Sequence, residues 1–448
     1  MEKTVTDKTV WNPEMESLSA PDLARLERER LLTQLEYVAS TSPMYQAKWA
    51  EAGTGGEKVK DVSDLAGLPF TTKAELRESQ ERRPPFGDFL ACPPELVNRV
   101  HRTSGATGRF VYTALTRADL ALTHDCGARS FWAAGLRPGH RVVHCLNYQL
   151  WMGGFTDHAN LETTGATVFP FGVGSSRQLV RVIREAGINA LSSTPSYPKY
   201  LAGMVREELG IEPAELGLEL GLFGGEPGLD DPVFRGRIEE TWGIKAMNAN
   251  YGVSDVLCNF ASVCEENYKL HFLGAGALLL QLIDPASGRD LELKEGTVGE
   301  MVLTHLAKEA QPLVRYRTSD LVEILETGAC ACGRTGPRFR VIGRSDDMLH
   351  VKGINVFPSG VARVLEALVP EVTAEFQIVL DHPSPYEELS ITIEHGPGIK
   401  AQEMKGLKTR LVAKLKEELN FKSVLSLVPP GSIKRTEMGK ARRVVRRY

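Results

Sequence analysis

No apolar run in this chain is long enough to cross a bilayer. The longest, such as "GALLLQLI", fall far short of the roughly 20 residues a helical span needs. The N-terminal "MEKTVTDKTVWNPEME" mixes charges and lacks the apolar stretch of a signal peptide. Cysteine is scarce and odd in number, seven in 448 residues, which excludes a secreted disulfide framework. Excess charge of one sign is missing too. With 53 Lys and Arg against 57 Asp and Glu the net charge is −4, so wholesale nucleic-acid binding is not expected. Internal repeats and low-complexity tracts are absent. These absences leave a cytoplasmic globular protein with neither a membrane nor a nucleic-acid partner. A 42% hydrophobic fraction allows a sizeable core, and the length suggests two or three domains.

Along the chain, the first hundred residues read as helices and loops. "PDLARLERERLLTQLEYVAST" has helical periodicity, with Ser19 or Pro21 at its start. Strand-like and helix-like pieces then alternate: "HRVVHCLN", "MGGFTDHANLETTG", "ATVFPF", "SRQLVRVIREAG", "INALSSTPS" and "YPKYLAGMVREELG". That alternation predicts βαβ units and parallel sheet. From about Lys269 to Leu325 shorter β-rich pieces follow. The polar run "GRSDDMLHVKGINVFP" precedes a βαββα-like tail of about a hundred residues, long enough for a small α+β domain. The expected division is 1–343 and 344–448.

Four stretches carry candidate chemistry. "TSGATG" (Thr103–Gly108) combines hydroxyls at Thr103, Ser104 and Thr107 with Gly105 and Gly108, whose backbone freedom suits a concave anion site. Two residues rather than four separate the glycines and no "GK[ST]" follows, so it is not a Walker loop. Taken alone, a Gly/Thr turn is the simpler reading. "NANYGVSD" places Tyr251 to stack on a base and Asp255 to hold magnesium beside a triphosphate; taken alone, a strand end with an N-cap aspartate is the simpler reading. "VRYRTSDL" offers Asp320 to ribose hydroxyls, or to a surface arginine. "CEENYKLH" and "CACGRT" supply Cys264, His271, Cys330 and Cys332, a complete Cys3His zinc set if the fold unites them, with Cys258 a substitute. The alternative is buried cysteines and a loop pair. Cys92, Cys126 and Cys145 read as core. The tail "GSIKRTEMGKARRVVRRY" is either a solvated basic segment or the carrier of one phosphate-directed lysine, Lys440 ahead of Lys434.

In order, "TSGATG", "YGVSD", "YRTSD", "GRSDD" and "GK" resemble the phosphate loop, "YGxTE", "YRTGD", "GRxDD" and C-terminal lysine of the adenylate-forming superfamily. The closer resemblance is to the phenylacetate–CoA ligase family. It rests on "SPMYQAKWAEAG", "LAGLPFTTKAELRE", "YQLWMGGFTDHANLETTGATVFP", "STPSY", "GGEP", "GEMVLTHLAKEAQPLVRYRTSDL", "CACGRTGPRF" and "GRSDDMLHVKGINVFPSGV", which together run from about residue 40 to the C-terminus.

This resemblance implies an α/β fold: a large N-terminal adenylate-forming domain of mixed sheets and helices, and a small α+β C-terminal domain rotating on a hinge. It implies that Thr103–Gly108 close over phosphates and that Gly225, Glu226, Pro227, Asn250, Tyr251 and Gly252 frame the nucleotide. Asp320 and Arg344 would take the ribose, Asp346 would be the hinge, Gly353 would flank the CoA path, and Lys440 and Asp255 would be catalytic. By position, Tyr148, Trp151, Phe155, Tyr197 and Phe223 are candidates for the acid pocket. The implied cofactors are ATP, Mg2+ and CoA, with structural Zn2+ on Cys264, His271, Cys330 and Cys332. A homodimer is what the family suggests. Arg109 replaces a common lysine, Asp255 a usual glutamate, and "FLGAGALLL" follows His271 in place of an acidic–histidine stretch. The expected activity is ATP-dependent, AMP-forming ligation of an aryl or arylacetic acid to CoA. The rivals are a carrier-protein, amine or cofactor acceptor, and a non-catalytic nucleotide-binding regulator.

Overall fold

The computed structural model describes residues 9–103, 110–352, 354–433 and 443–448. The chain forms two compact units. The first comprises Met1–Asp230, Arg235–Thr318 and Val322–Arg340. The second comprises Asp231–Phe234, Ser319–Leu321 and Val341–Tyr448.

The helix Ala20–Thr41 begins where Ser19 Oγ accepts the Asp22 N–H, and it buries Leu31, Leu35 and Val38 on one stripe. Beyond it, a twelve-stranded sheet organises the first unit. Thr167–Pro170, Arg141–His144, Ala190–Ser193, Leu220–Gly224 and Lys245–Val253 lie side by side in that order, each parallel to its neighbour. Ala190–Ser193 and Leu220–Gly224 are buried throughout, as expected of parallel strands covered on both faces. Helices Arg117–Ala133, Ser176–Glu185 and Tyr197–Leu209 fall between successive strands. Thr116 and Asp119 close a reciprocal capping box at the first of these. The sheet then turns antiparallel through Leu257–Cys264 and Asn267–Phe272 and continues through five more strands.

In the second unit, the sheet order is Ser423–Val428, Leu389–His395, Val372–Leu380, Val444–Arg446. Helices Pro358–Glu366 and Met404–Leu419 bury Val361, Leu365, Leu411 and Leu415 in one core with Phe376, Ile378, Ile391 and Ile393. After the last helix of the βαββα pattern read from sequence the tail adds two strands, Ser423–Val428 and Val444–Arg446. Both pair in parallel with neighbours formed earlier in the chain. No described helix is long and apolar enough to cross a membrane.

Candidate active site

Four adjacent parallel strands end on the same edge of the sheet, where ligands of open α/β sheets sit. The segments leaving those ends carry Tyr148 and Trp151, Tyr197, Gly225–Pro227, and Asn250–Asp255. Two glycines let backbones approach here. A Cβ on Gly224 would stand 2.4 Å from Asn250 O, and one on Gly252 would stand 1.7 Å from Cys258 O. Gly225, with φ +78, turns the chain out of its strand.

The hairpin Arg99–Arg102/Tyr112–Leu115 brings Thr103 to this edge. Thr103 N–H donates to Val111 O at 2.9 Å, and Thr113 Oγ1 donates to Ser254 O at 3.3 Å, beside Asp255. Ser104, Gly105, Thr107 and Gly108 lie outside the described residues, as do Gly353 and Lys440.

Asp255 is buried and holds two donors on one oxygen: Lys73 Nζ at 2.8 Å and Tyr316 OH at 2.9 Å, both to Oδ2. Its Oδ1 is buried with no hydrogen-bond partner among the described residues. Local pairing explains the meeting. Thr71 bridges Tyr316 in parallel, exchanging backbone hydrogen bonds with Arg315 and Arg317, and Thr72 caps the helix that Lys73 begins. Nothing local in "FTTKAELRE" signals the pairing, though its Thr72–Glu75 capping box is visible as a helix start. Lys73→Met and Asp255→Asn should be energetically coupled, since each leaves the other without its partner. A double-mutant cycle on unfolding free energy is expected to return about 1 kcal/mol or more; zero coupling would mean the pair is incidental.

Around the aromatic candidates, Tyr148 OH hydrogen-bonds His158 Nδ1 at 3.0 Å, and Phe155 stacks on His158 at 6.1 Å between centroids. Tyr197 OH meets Ser176 Oγ at 2.9 Å. Tyr148, Trp151 and Tyr197 are half-buried and Phe155 is exposed. Phe223 differs from the other four in its exposure. It is fully buried, lying over Gly221 beside Ile244. His144, unanticipated from sequence, holds the turn Met152–Thr156. Its Nε2–H donates to Gly153 O and Gly154 O, both at 3.0 Å, and Nδ1 accepts from Ser192 Oγ. Burial pushes it down to about 4, so it is neutral at physiological pH.

Asp320 and the second unit's start form a separate constellation. Arg344 Nη1 donates to Asp320 Oδ1 at 2.9 Å, while its Nε and Nη2 donate to Asp346 at 2.9 and 2.8 Å. One guanidinium thus links the carboxylate expected at the ribose to the residue expected at the hinge.

The cysteine pairs do come together. The hairpin Leu257–Cys264/Asn267–Phe272 brings Cys264 and His271 together, and the loop at Cys330–Thr335 adds Cys330 and Cys332. All four ligand atoms lie within 4.8 Å of one another. Cys264 Sγ to Cys330 Sγ is 4.0 Å and Cys332 Sγ to His271 Nε2 is 3.9 Å, close to the edges of a tetrahedron drawn with Zn–S bonds of about 2.3 Å. Shared hydrogen bonding with Cys264 holds the Cys332 thiol down toward the thiolate. The N-terminal segment clamps the loop: Arg334 Nε donates to Glu16 Oε2 at 2.6 Å and Thr335 N–H to Glu16 O at 3.0 Å. Cys258 is not part of this group; it donates to Asp157 at 3.2 Å.

Residues 353–447 match the family model of the AMP-binding enzyme C-terminal domain. Phenylacetate-coenzyme A ligase of Thermus thermophilus is 35% identical over 453 residues, covering 97% of this chain and 99% of that protein. The Pseudomonas putida phenylacetate-coenzyme A ligase is 34% identical, covering 97% and 96%. Among solved structures, 2-hydroxyisobutyryl-CoA ligase in the postadenylation state in complex with 2-HIB-AMP matches with a TM-score of 0.88 at 31% identity, covering 98% of this chain and 93% of that one. ATP-bound MatB from Rhodopseudomonas palustris shares the fold at 17% identity and a TM-score of 0.57, covering 80% and 69%. A site on the strand ends of such a sheet, in a chain similar to these ligases along nearly its whole length, identifies it as an AMP-forming acid–thiol ligase that belongs to the phenylacetate–CoA ligase family.

Proposed function

We propose that the acid is aryl or arylacetic, and that the strand-end loops bind it while the residues around Asp255 serve the triphosphate. An ionised carboxylate is already a nucleophile at neutral pH, so its attack on the α-phosphorus of ATP needs no general base. The demands are in-line positioning and charge compensation. The carboxylate oxygen bonds to phosphorus as pyrophosphate leaves with the electrons of the broken P–O bond, giving an acyl-adenylate. The thiol of CoA, losing its proton, then adds to the acyl carbon and expels AMP.

Asn250, Tyr251 and Gly225–Pro227 would flank the adenine, Asp320 with Arg344 the ribose, and Thr103–Gly108 the distal phosphates. Lys440 would stabilise charge in the first step only, with rotation about Asp346 separating the steps and Gly353 beside the incoming CoA. The unpartnered Oδ1 makes Asp255 a suitable magnesium ligand, and the ion when bound would offset phosphate charge. Cys264, His271, Cys330 and Cys332 would hold a zinc whose chemistry is structural, all four positions being filled by protein.

The aromatic side chains at the strand ends, in a chain so similar to phenylacetate-coenzyme A ligases, carry the assignment of the acid class. Pyrophosphate release measured across benzoate, phenylacetate, hydroxyisobutyrate and straight-chain acids tests it. Release with the aryl acids at kcat/KM at least tenfold above the others is expected. A preference for hydroxyisobutyrate or a straight-chain acid would overturn it.

A further inference from the structure

Asp157 is a fully buried carboxylate whose described partners are all neutral. It sits at the start of the helix Asp157–Thr163, immediately after the turn Met152–Thr156. Three elements converge on it. Cys258 Sγ and Asn160 Nδ2 donate to Oδ1, at 3.2 and 3.1 Å, and Asn250 Nδ2 donates to Oδ2. The helix Arg117–Ala133 presents Gly127 to this cluster, where a Cβ would overlap the Asn160 amide at 2.2 Å. The pocket for the network is thus built into the backbone.

The chemistry of the pair fixes an orientation. An ionised carboxylate only accepts hydrogen bonds, so the amide of Asn250 must turn its NH2 toward Asp157. Its carbonyl oxygen then points away. Asn250 is half-buried, and none of the described residues donates to that oxygen.

We propose that Asp157 is a positioning residue. It locks Asn250 with its carbonyl oxygen facing the nucleotide, so that the site accepts the amino group of adenine and disfavours the oxo group of hypoxanthine. This rests on the placement of Asn250 beside adenine in the proposed function. A donor presented to an acceptor is a good hydrogen bond, whereas two acceptors face to face leave both unpaired, so discrimination follows from the lock.

Burial raises Asp157 to about 7. The titratable groups facing it, the Cys258 thiol and the Tyr148 phenol, are both raised by burial and stay protonated near neutrality. A proton on Asp157 makes it a donor and frees Asn250 to turn over. The lock is therefore present above about pH 7 and released below it.

The test compares kcat/KM for ATP and ITP, read as acid-dependent pyrophosphate release. In Asp157→Asn, the two donors on the Oδ1 side keep the amide oxygen, leaving the NH2 to face Asn250 and turn it over. The ATP preference is expected to fall about tenfold or more, with the change in KM. A merely structural role would lower stability or kcat and leave the ratio intact, which would overturn the proposal. Asn250→Ala separates the two ideas: if it leaves both the ATP KM and the ratio unchanged, the adenine placement fails, and the lock with it. Should Asp157→Asn not fold, the unmodified protein decides. Its ATP preference is expected to be lower at about pH 6 than at about pH 8, and an equal ratio at both would overturn the proposal.

Discussion

Alanine in place of Lys440 is expected to lower acyl-adenylate formation on the order of a hundredfold to a thousandfold, the usual effect of removing one preorganised charge-stabilising group. Thioester formation from a supplied acyl-adenylate and CoA should stay within a few-fold of the unmodified protein. The asymmetry follows from the chemistry. Only the first step builds charge on phosphates; the second expels AMP from a mixed anhydride that is already activated. The chain on either side of this lysine is anchored. Ile433 N–H donates to Glu394 at 2.7 Å, and Val444 pairs in parallel with Ile378. Lys434→Ala is the control. It should spare both steps, and if it removes adenylation while Lys440→Ala does not, the two lysines have been assigned in the wrong order. Loss of both steps in Lys440→Ala would remove its proposed role.

Replacing Cys330 and Cys332 together with serine is expected to release one zinc per chain. It should also destabilise the first unit on the order of 5 kcal/mol, the range in which loss of a structural metal falls. The loop that carries them has few other ties. Apart from its own turn, from Cys330 N–H to Arg334 O, and the contacts of its two thiols with Cys264, His271 and Asn267, the described bonds run to the short N-terminal segment at Glu16, Ser17 and Leu18. Activity of the surviving folded fraction should be nearly unchanged, since four protein donors leave no open position for substrate. Metal analysis of the purified protein reads the first outcome and thermal unfolding the second. Finding no zinc in the unmodified protein would dismiss the site.

Much of this was legible in the sequence, for reasons that differ by residue. Ser19 announced a helix because capping is a local interaction between neighbours. The parallel strands announced themselves through strand-like pieces alternating with helix-length segments. Cys264, His271, Cys330 and Cys332 were legible as a set because metal-ligating residue types are few, although their spacing alone did not unite them. Lys73, Tyr316 and Asp157 were not legible as site residues. Each depends on a partner far away in sequence: Lys73 meets Asp255, and Asp157 meets Asn250, through strand order that no local pattern encodes.

The most direct measurement follows the oxygen of the acid. With phenylacetate labelled with heavy oxygen in its carboxylate, and with ATP, magnesium and CoA present, the AMP produced should carry one labelled oxygen and the thioester should retain the other. That distribution requires a carboxylate–phosphorus bond to the α-phosphate. Unlabelled AMP, or label appearing in inorganic phosphate with ADP as the nucleotide product, would contradict adenylation as the activating step.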